Sequence, residues 1–69
     1  MKISARNILK GKVKQVIIGA VNDEVVITLA GGQEVVSVIT KESVEALGLA
    51  AGKEVYAIIK ASNIMVGVD

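Results

Sequence analysis

Apolar and polar positions alternate along much of this chain, and the alternation predicts strands. In residues 9–18 (LKGKVKQVII) Lys10, Lys12 and Lys14 share one face while Val13 and Ile17 share the other, the period of two of a half-buried strand. Val16, Ile17 and Ile18 are apolar on both faces and require cover from two sides. Gly19 interrupts the run, and residues 22–24 (NDE) read as a turn into a second strand, 24–30. Gly31 and Gly32 then predict a tight hairpin into residues 33–40 (QEVVSVIT), because a two-residue loop needs the positive φ that glycine adopts freely. Thr40 stands as N-cap of a short helix over 41–47, with Glu42 in its first turn and Val44 and Leu47 on one side. Gly48 marks its left-handed stop, and Leu49 falls where a Schellman motif places an apolar contact. Residues 53–60 (KEVYAIIK) predict a fourth strand and residues 63–68 (NIMVGV) a fifth.

Three strands, a helix and two more strands is the order of an all-β, five-stranded OB-like Greek-key barrel with one short helix between strands three and four. Another small barrel, or an antiparallel sheet carrying one helix, fits the same order. Residues 25–30, 35–40 and 56–61 (VVITLA, VVSVIT, YAIIKA) are apolar on both faces, whereas a sheet with water on one side alternates. That surplus apolar face implies a homo-oligomer.

Composition narrows the chemistry. At 69 residues the chain is one domain near the lower size limit for folding unaided. It has no cysteine and no histidine, so disulfides, thiolates, imidazoles and the usual ligands of zinc and softer metals are missing. Eight basic residues against seven acidic ones leave a net charge of +1, without the basic excess of a polyanion binder. Tyr56 is the single aromatic residue, short of a stacking platform for single-stranded nucleic acid. The start MKISARN lacks the apolar core of a signal peptide, and no apolar run approaches the roughly 20 residues of a bilayer span. A cytoplasmic protein with no nucleic-acid or membrane partner is the expectation.

No enzyme is expected either: no nucleophile stands with a base, and Asp23 and Glu24 belong to the predicted turn, without partners for acid–base work. The polar chemistry consists of donors at three corners. Ser4, Arg6 and Asn7 stand at the start, Thr40 and Ser43 at the helix entry, and Lys60, Ser62 and Asn63 after the fourth strand. Hydroxyls, backbone N–H groups and one or two cations suit an anion, and corners of different subunits can meet in an oligomer. Each residue also has a plainer reading. Thr40 serves as an N-cap, Ser43 satisfies a local backbone group, Lys60 snorkels off an apolar strand, and Lys10, Lys12 and Lys14 form a solvated strand face.

Residues 4–13 (SARNILKGKV), the double-glycine hairpin and residues 35–66 (VVSVITKESVEALGLAAGKEVYAIIKASNIMV) together resemble the molbindins. These are small molybdate-binding proteins, some described as molybdenum-pterin-binding proteins, built of one TOBE-type OB-like module. The resemblance covers essentially the whole chain, with SARN, the IT before a helix ending LGL, GKEV and IIKAS in the family's order. It implies a single molybdate-binding domain of the TOBE/Mop type over residues 1–69, in which SARN lines an oxyanion site at a subunit interface. By position, Ser4 contributes a hydroxyl, and Ala5, Arg6 and Asn7 complete that donor segment. The neighbouring subunit brings the Thr40 hydroxyl, the Lys60 charge, and the amide and hydroxyl of Ala61 and Ser62, with Ser43 as a weaker member. The resemblance further implies a homohexamer, a trimer of dimers, with a second type of oxyanion site around its threefold axis. Its ligand is molybdate, for which tungstate substitutes, and the resemblance leaves open whether a molybdopterin associates as well. Molybdenum arrives already wrapped in oxide, so the protein contacts oxygen and needs no metal ligand of its own. A tetrahedral dianion leaving water requires several pre-aimed donors, and a charged donor bonds it more strongly than a neutral one. A lone module, without the DNA-binding or ATPase parts of longer relatives, implies storage and homeostasis.

Overall fold

The structure, a computed structural model, describes residues 1–69. Its elements are β1 (Asn7–Ile17), β2 (Asn22–Leu29), β3 (Glu34–Thr40), α1 (Lys41–Ala46), β4 (Glu54–Ile59) and one 3-10 turn, Ala61–Asn63. The strands form a single antiparallel sheet in the order β3-β2-β1-β4. It curls around a small aliphatic core of Val13, Val25, Ile27, Val44 and Ala57, the helix supplying Val44. No helix is long and apolar enough to cross a membrane.

The all-β class and the helix between strands three and four agree with the sequence, but the strand count is four. Residues 63–68, expected as the fifth strand, join no ladder: Asn63 ends the 3-10 turn, and Met65, Val66 and Val68 are 93%, 91% and 94% exposed. A strand persists only where its backbone groups and side chains find partners, and within one chain this segment has none.

Three further differences have local causes. In β1 the register passes from Val13↔Ile27 to Gln15↔Val26, so Lys14 is an extra residue, a β-bulge. The bulge shifts the alternation by one: Val13 and Val16 turn inward, and Ile17, expected beside Val13, is 44% exposed. The turn expected at 22–24 lies earlier, over 18–21, and Asn22, Asp23 and Glu24 are part of β2. Asp23 is buried there, its Oδ1 accepting from the Gly19 amide at 3.2 Å and from Lys41 Nζ at 2.8 Å. The hairpin between β2 and β3 has three loop residues instead of two. The Leu29 amide donates to the Gln33 carbonyl at 2.7 Å, the Gly32 amide to the Leu29 carbonyl at 3.0 Å, and of the two glycines Gly32 alone has positive φ, at 90°.

The helix ends are as the sequence predicts. Thr40 Oγ accepts from the Ser43 amide at 3.1 Å. Leu47 is the C-cap and Gly48 takes φ 61°, after which the Gly48 amide reaches the Glu45 carbonyl and the Leu49 amide the Val44 carbonyl, both at 3.0 Å. This is the Schellman pattern, with Leu49 packed on the core that contains Val44.

Candidate functional site

The Asn7↔Ile59 pair closes the ladder where β1 begins and β4 ends. Asn7 Nδ2 donates to the Ile59 carbonyl at 3.2 Å and locks this end of the sheet. The chain entering β1 and the chain leaving β4 therefore run close together beyond the lock. They wall an open hollow of about 570 Å³ lined by Ser4, Ala5, Arg6, Ile58, Lys60, Ala61, Ser62 and Asn63. Lys60 leaves the strand with ψ 131°, and the 3-10 turn is held by the Asn63 amide on the Lys60 carbonyl at 2.9 Å.

The hollow is rich in donors and poor in acceptors. No acidic residue lines it. The two ion pairs of the molecule, Lys14–Glu34 at 2.7 Å and Lys41–Asp23 at 2.8 Å, lie elsewhere, so Arg6 and Lys60 have no carboxylate partner. The side chains of Ser4, Arg6, Lys60, Ser62 and Asn63 make no hydrogen bond within the chain. Two uncompensated cations beside free hydroxyls and an amide favour an anionic occupant. No group of three His, Cys, Asp or Glu side chains is placed to hold a bare metal ion.

Six of the nine residues expected at the site therefore surround one hollow in one chain: Ser4, Ala5, Arg6, Lys60, Ala61 and Ser62. Asn7 acts as the lock at its edge. Thr40 and Ser43 are remote. Thr40 pairs with Asn22, beyond the end of β1, whereas the hollow lies at the start of β1, so that the two stand at opposite ends of the strand, roughly 33 Å apart when measured along its backbone. Their side chains are also occupied, since Thr40 Oγ accepts the Ser43 amide and donates to Ser43 Oγ at 3.0 Å. The resemblance had grouped Lys60, Ala61 and Ser62 with Thr40; within a single chain they stand with Ser4 and Arg6 instead. Asn63, read from the sequence as a corner donor though outside the set that the resemblance implies, joins the lining, as does Ile58, which was not expected there. Ile58 was readable from strand period, standing two residues before Lys60 on the same face. Lys10 and Lys12 border a different hollow of about 340 Å³, whose wall includes the Glu54 carboxylate.

The chain matches the TOBE domain family over residues 3–66. It is 52% identical to a probable molybdenum-pterin-binding protein of Haemophilus influenzae over 69 residues, 100% of each chain. The solved structure of a molybdate-binding protein from Sporomusa ovata superposes with a TM-score of 0.92 at 40% identity, covering 99% of this chain and 100% of that one. The molybdate-bound form of the cytoplasmic molybdate-binding protein ModG superposes with a TM-score of 0.84 at 57% identity, over 88% of this chain and 43% of that longer one. With the family match running nearly end to end and the whole fold shared at this level of identity, the chain belongs to the TOBE domain family and is of the molbindin type.

Proposed function

We propose that this protein binds molybdate, and tungstate in its place, as the intact tetrahedral oxyanion, and serves molybdenum storage and homeostasis in the cytoplasm without catalysing a reaction. The observation that carries this reading is that Arg6 and Lys60, neither in an ion pair, border one hollow with the Ser4 and Ser62 hydroxyls and no carboxylate. The names of the relatives supply the identity of the anion. The hollow offers no aromatic face to a pterin ring, which favours the free oxyanion as ligand.

One chain does not enclose the ligand. Four oxygens at about 30 Å³ each occupy roughly 120 Å³, so an open hollow of about 570 Å³ needs a second wall. Thr40 and Ser43, at the far end of their own sheet, reach the hollow only from another subunit. Both points support a site shared between subunits of a homo-oligomer, the homohexamer that the family resemblance implies. Selectivity against sulfate then rests on the closed cavity's size, because charge and shape are alike.

Calorimetric titration of the purified oligomer with molybdate tests this, with sulfate, phosphate and tungstate as competitors and Lys60→Ala alongside. The expected result is saturable binding that tungstate displaces, sulfate does not, and Lys60→Ala weakens. Absence of binding, or displacement by equimolar sulfate, overturns it.

A further inference from the structure

One carboxylate is buried in this molecule, and the oxyanion hollow does not use it. Asp23, 5% exposed, is the single buried polar side chain. It stands in β2 opposite Ile39 of β3, next to the Asn22↔Thr40 pair that ends that ladder. Its Oδ1 accepts from the Gly19 amide, in the turn before β2, at 3.2 Å and from Lys41 Nζ at 2.8 Å. A single oxygen therefore ties the β1–β2 turn to the first residue of α1. A buried charge is costly unless it is paired and hydrogen-bonded, so this tie holds Lys41 in one place.

What the tie holds is the entry of the helix. With six residues and one buried side chain, Val44, α1 has little packing to fix its direction and depends on its ends. The far end is fastened by the Schellman turn and by Lys53 Nζ on the Leu47 carbonyl, the near end by Lys41 on Asp23. On either side of Lys41 stand Thr40 and Ser43. The Ser43 amide donates to Thr40 Oγ at 3.1 Å, and Thr40 Oγ donates in turn to Ser43 Oγ at 3.0 Å. A hydroxyl has one proton, so Thr40 has used its own, while that of Ser43 meets no acceptor within the chain. Ser43 is thus the outward donor of this pair, and the turn that Lys41 begins sets its aim.

We propose that Asp23 is a positioning residue for anion binding: through Lys41 it fixes the start of α1 so that the Ser43 hydroxyl meets an oxyanion held in the hollow of a neighbouring subunit. The inference rests on the shared site proposed above. Asp23 does not touch the anion, and its charge by itself opposes binding. Its contribution is the direction of a donor, because a hydrogen bond weakens steeply as its angle closes.

Molybdate titration of Asp23→Asn, Ser43→Ala and the double variant tests this, at a temperature where each sediments as the unaltered protein does. Asp23→Asn deletes a negative charge and leaves Lys41 uncompensated, which by Coulomb attraction alone tightens the hold on an anion. The expected result is the opposite. Affinity falls roughly twofold to tenfold, the worth of one neutral hydrogen bond, and the double variant binds no more weakly than Ser43→Ala alone. Unchanged or tighter binding by Asp23→Asn, or losses that add in the double variant, overturn the positioning role. If Asp23→Asn does not assemble, Lys41→Ala breaks the same tie from its more exposed end and takes its place, with additivity against Ser43→Ala deciding. The unaltered protein keeps the two readings apart. Its failure to bind molybdate overturns the shared site and the positioning role together, whereas binding that Asp23→Asn leaves intact overturns the positioning role alone.

Discussion

Lys60 and Arg6 carry charge that the folded chain leaves without a carboxylate partner, and the consequence is testable one residue at a time. Lys60→Ala removes a charge-assisted hydrogen bond of about 1.5–3 kcal/mol, so affinity for molybdate is expected to fall roughly tenfold to a hundredfold. Thermal stability is expected to hold, because Lys60 makes no side-chain bond within the chain; a matching loss of Tm would mean that the residue supports the fold instead. Asp23 behaves oppositely. The hydrogen bond from Lys41 holds its carboxyl below the ordinary value of 3.8, against the opposing effect of burial and with help from the Gly19 amide and the Lys41 charge. A carboxyl whose folded pKa is lowered stabilises the fold above its unfolded value and loses that contribution as pH falls through the folded one. Melting curves are expected to show a Tm that drops once pH passes below 3.8, with Asp23→Asn flattening that part of the profile. Gly11 is constrained by space. A Cβ there would lie 2.6 Å from the Thr28 carbonyl oxygen, which belongs to the neighbouring strand and cannot yield cheaply. Gly11→Ala is expected to cost about 1–3 kcal/mol, read as a lower midpoint in urea.

At the scale of elements, what was legible is what depends on residues near in sequence. Thr40, Gly48 and Leu49 specify both ends of α1 through contacts within a few residues, so the cap and the Schellman motif follow from local pattern. Thr40→Ala is expected to lower stability by about 1 kcal/mol, a Tm loss of roughly 4–8 °C, while Thr40→Ser keeps the capping oxygen and most of the stability. A calorimetric scan of both variants checks this. The bulge at Lys14 was not legible, because nothing in residues 9–18 says which residue of β2 stands opposite which of β1. Its effect is large: one extra residue exchanges Ile17 for Val16 on the inner face. Asp23 was misplaced for the same reason. An acidic residue beside an asparagine has turn chemistry, and only the approach of Lys41, eighteen positions away, makes a buried strand position tolerable.

As a whole molecule the chain is apolar in composition yet poorly buried. Hydrophobic residues make up 52% of it, and only seven of its 69 residues are buried in a single copy. With so small a core, the oligomer proposed above would add to stability by binding the folded form, and Tm would then depend on concentration. Dilution is expected to lower the melting temperature; a midpoint that holds constant across a wide dilution series would show that the single chain is stable by itself.

The sequence by itself determined the β class, the short capped helix between the third and fourth strands, the family, and the two donor segments, Ser4 to Asn7 and Lys60 to Ser62. These rest on side-chain period, glycine and cap chemistry, and motif order, all carried by neighbours along the chain. Only the tertiary structure decided that the two segments meet, because the Asn7↔Ile59 pair joins positions fifty-two residues apart. It likewise decided the fate of residues 64–69, whose pattern is that of a strand. A strand needs an edge to pair with, and whether one lies within reach is a property of the folded sheet, not of the segment.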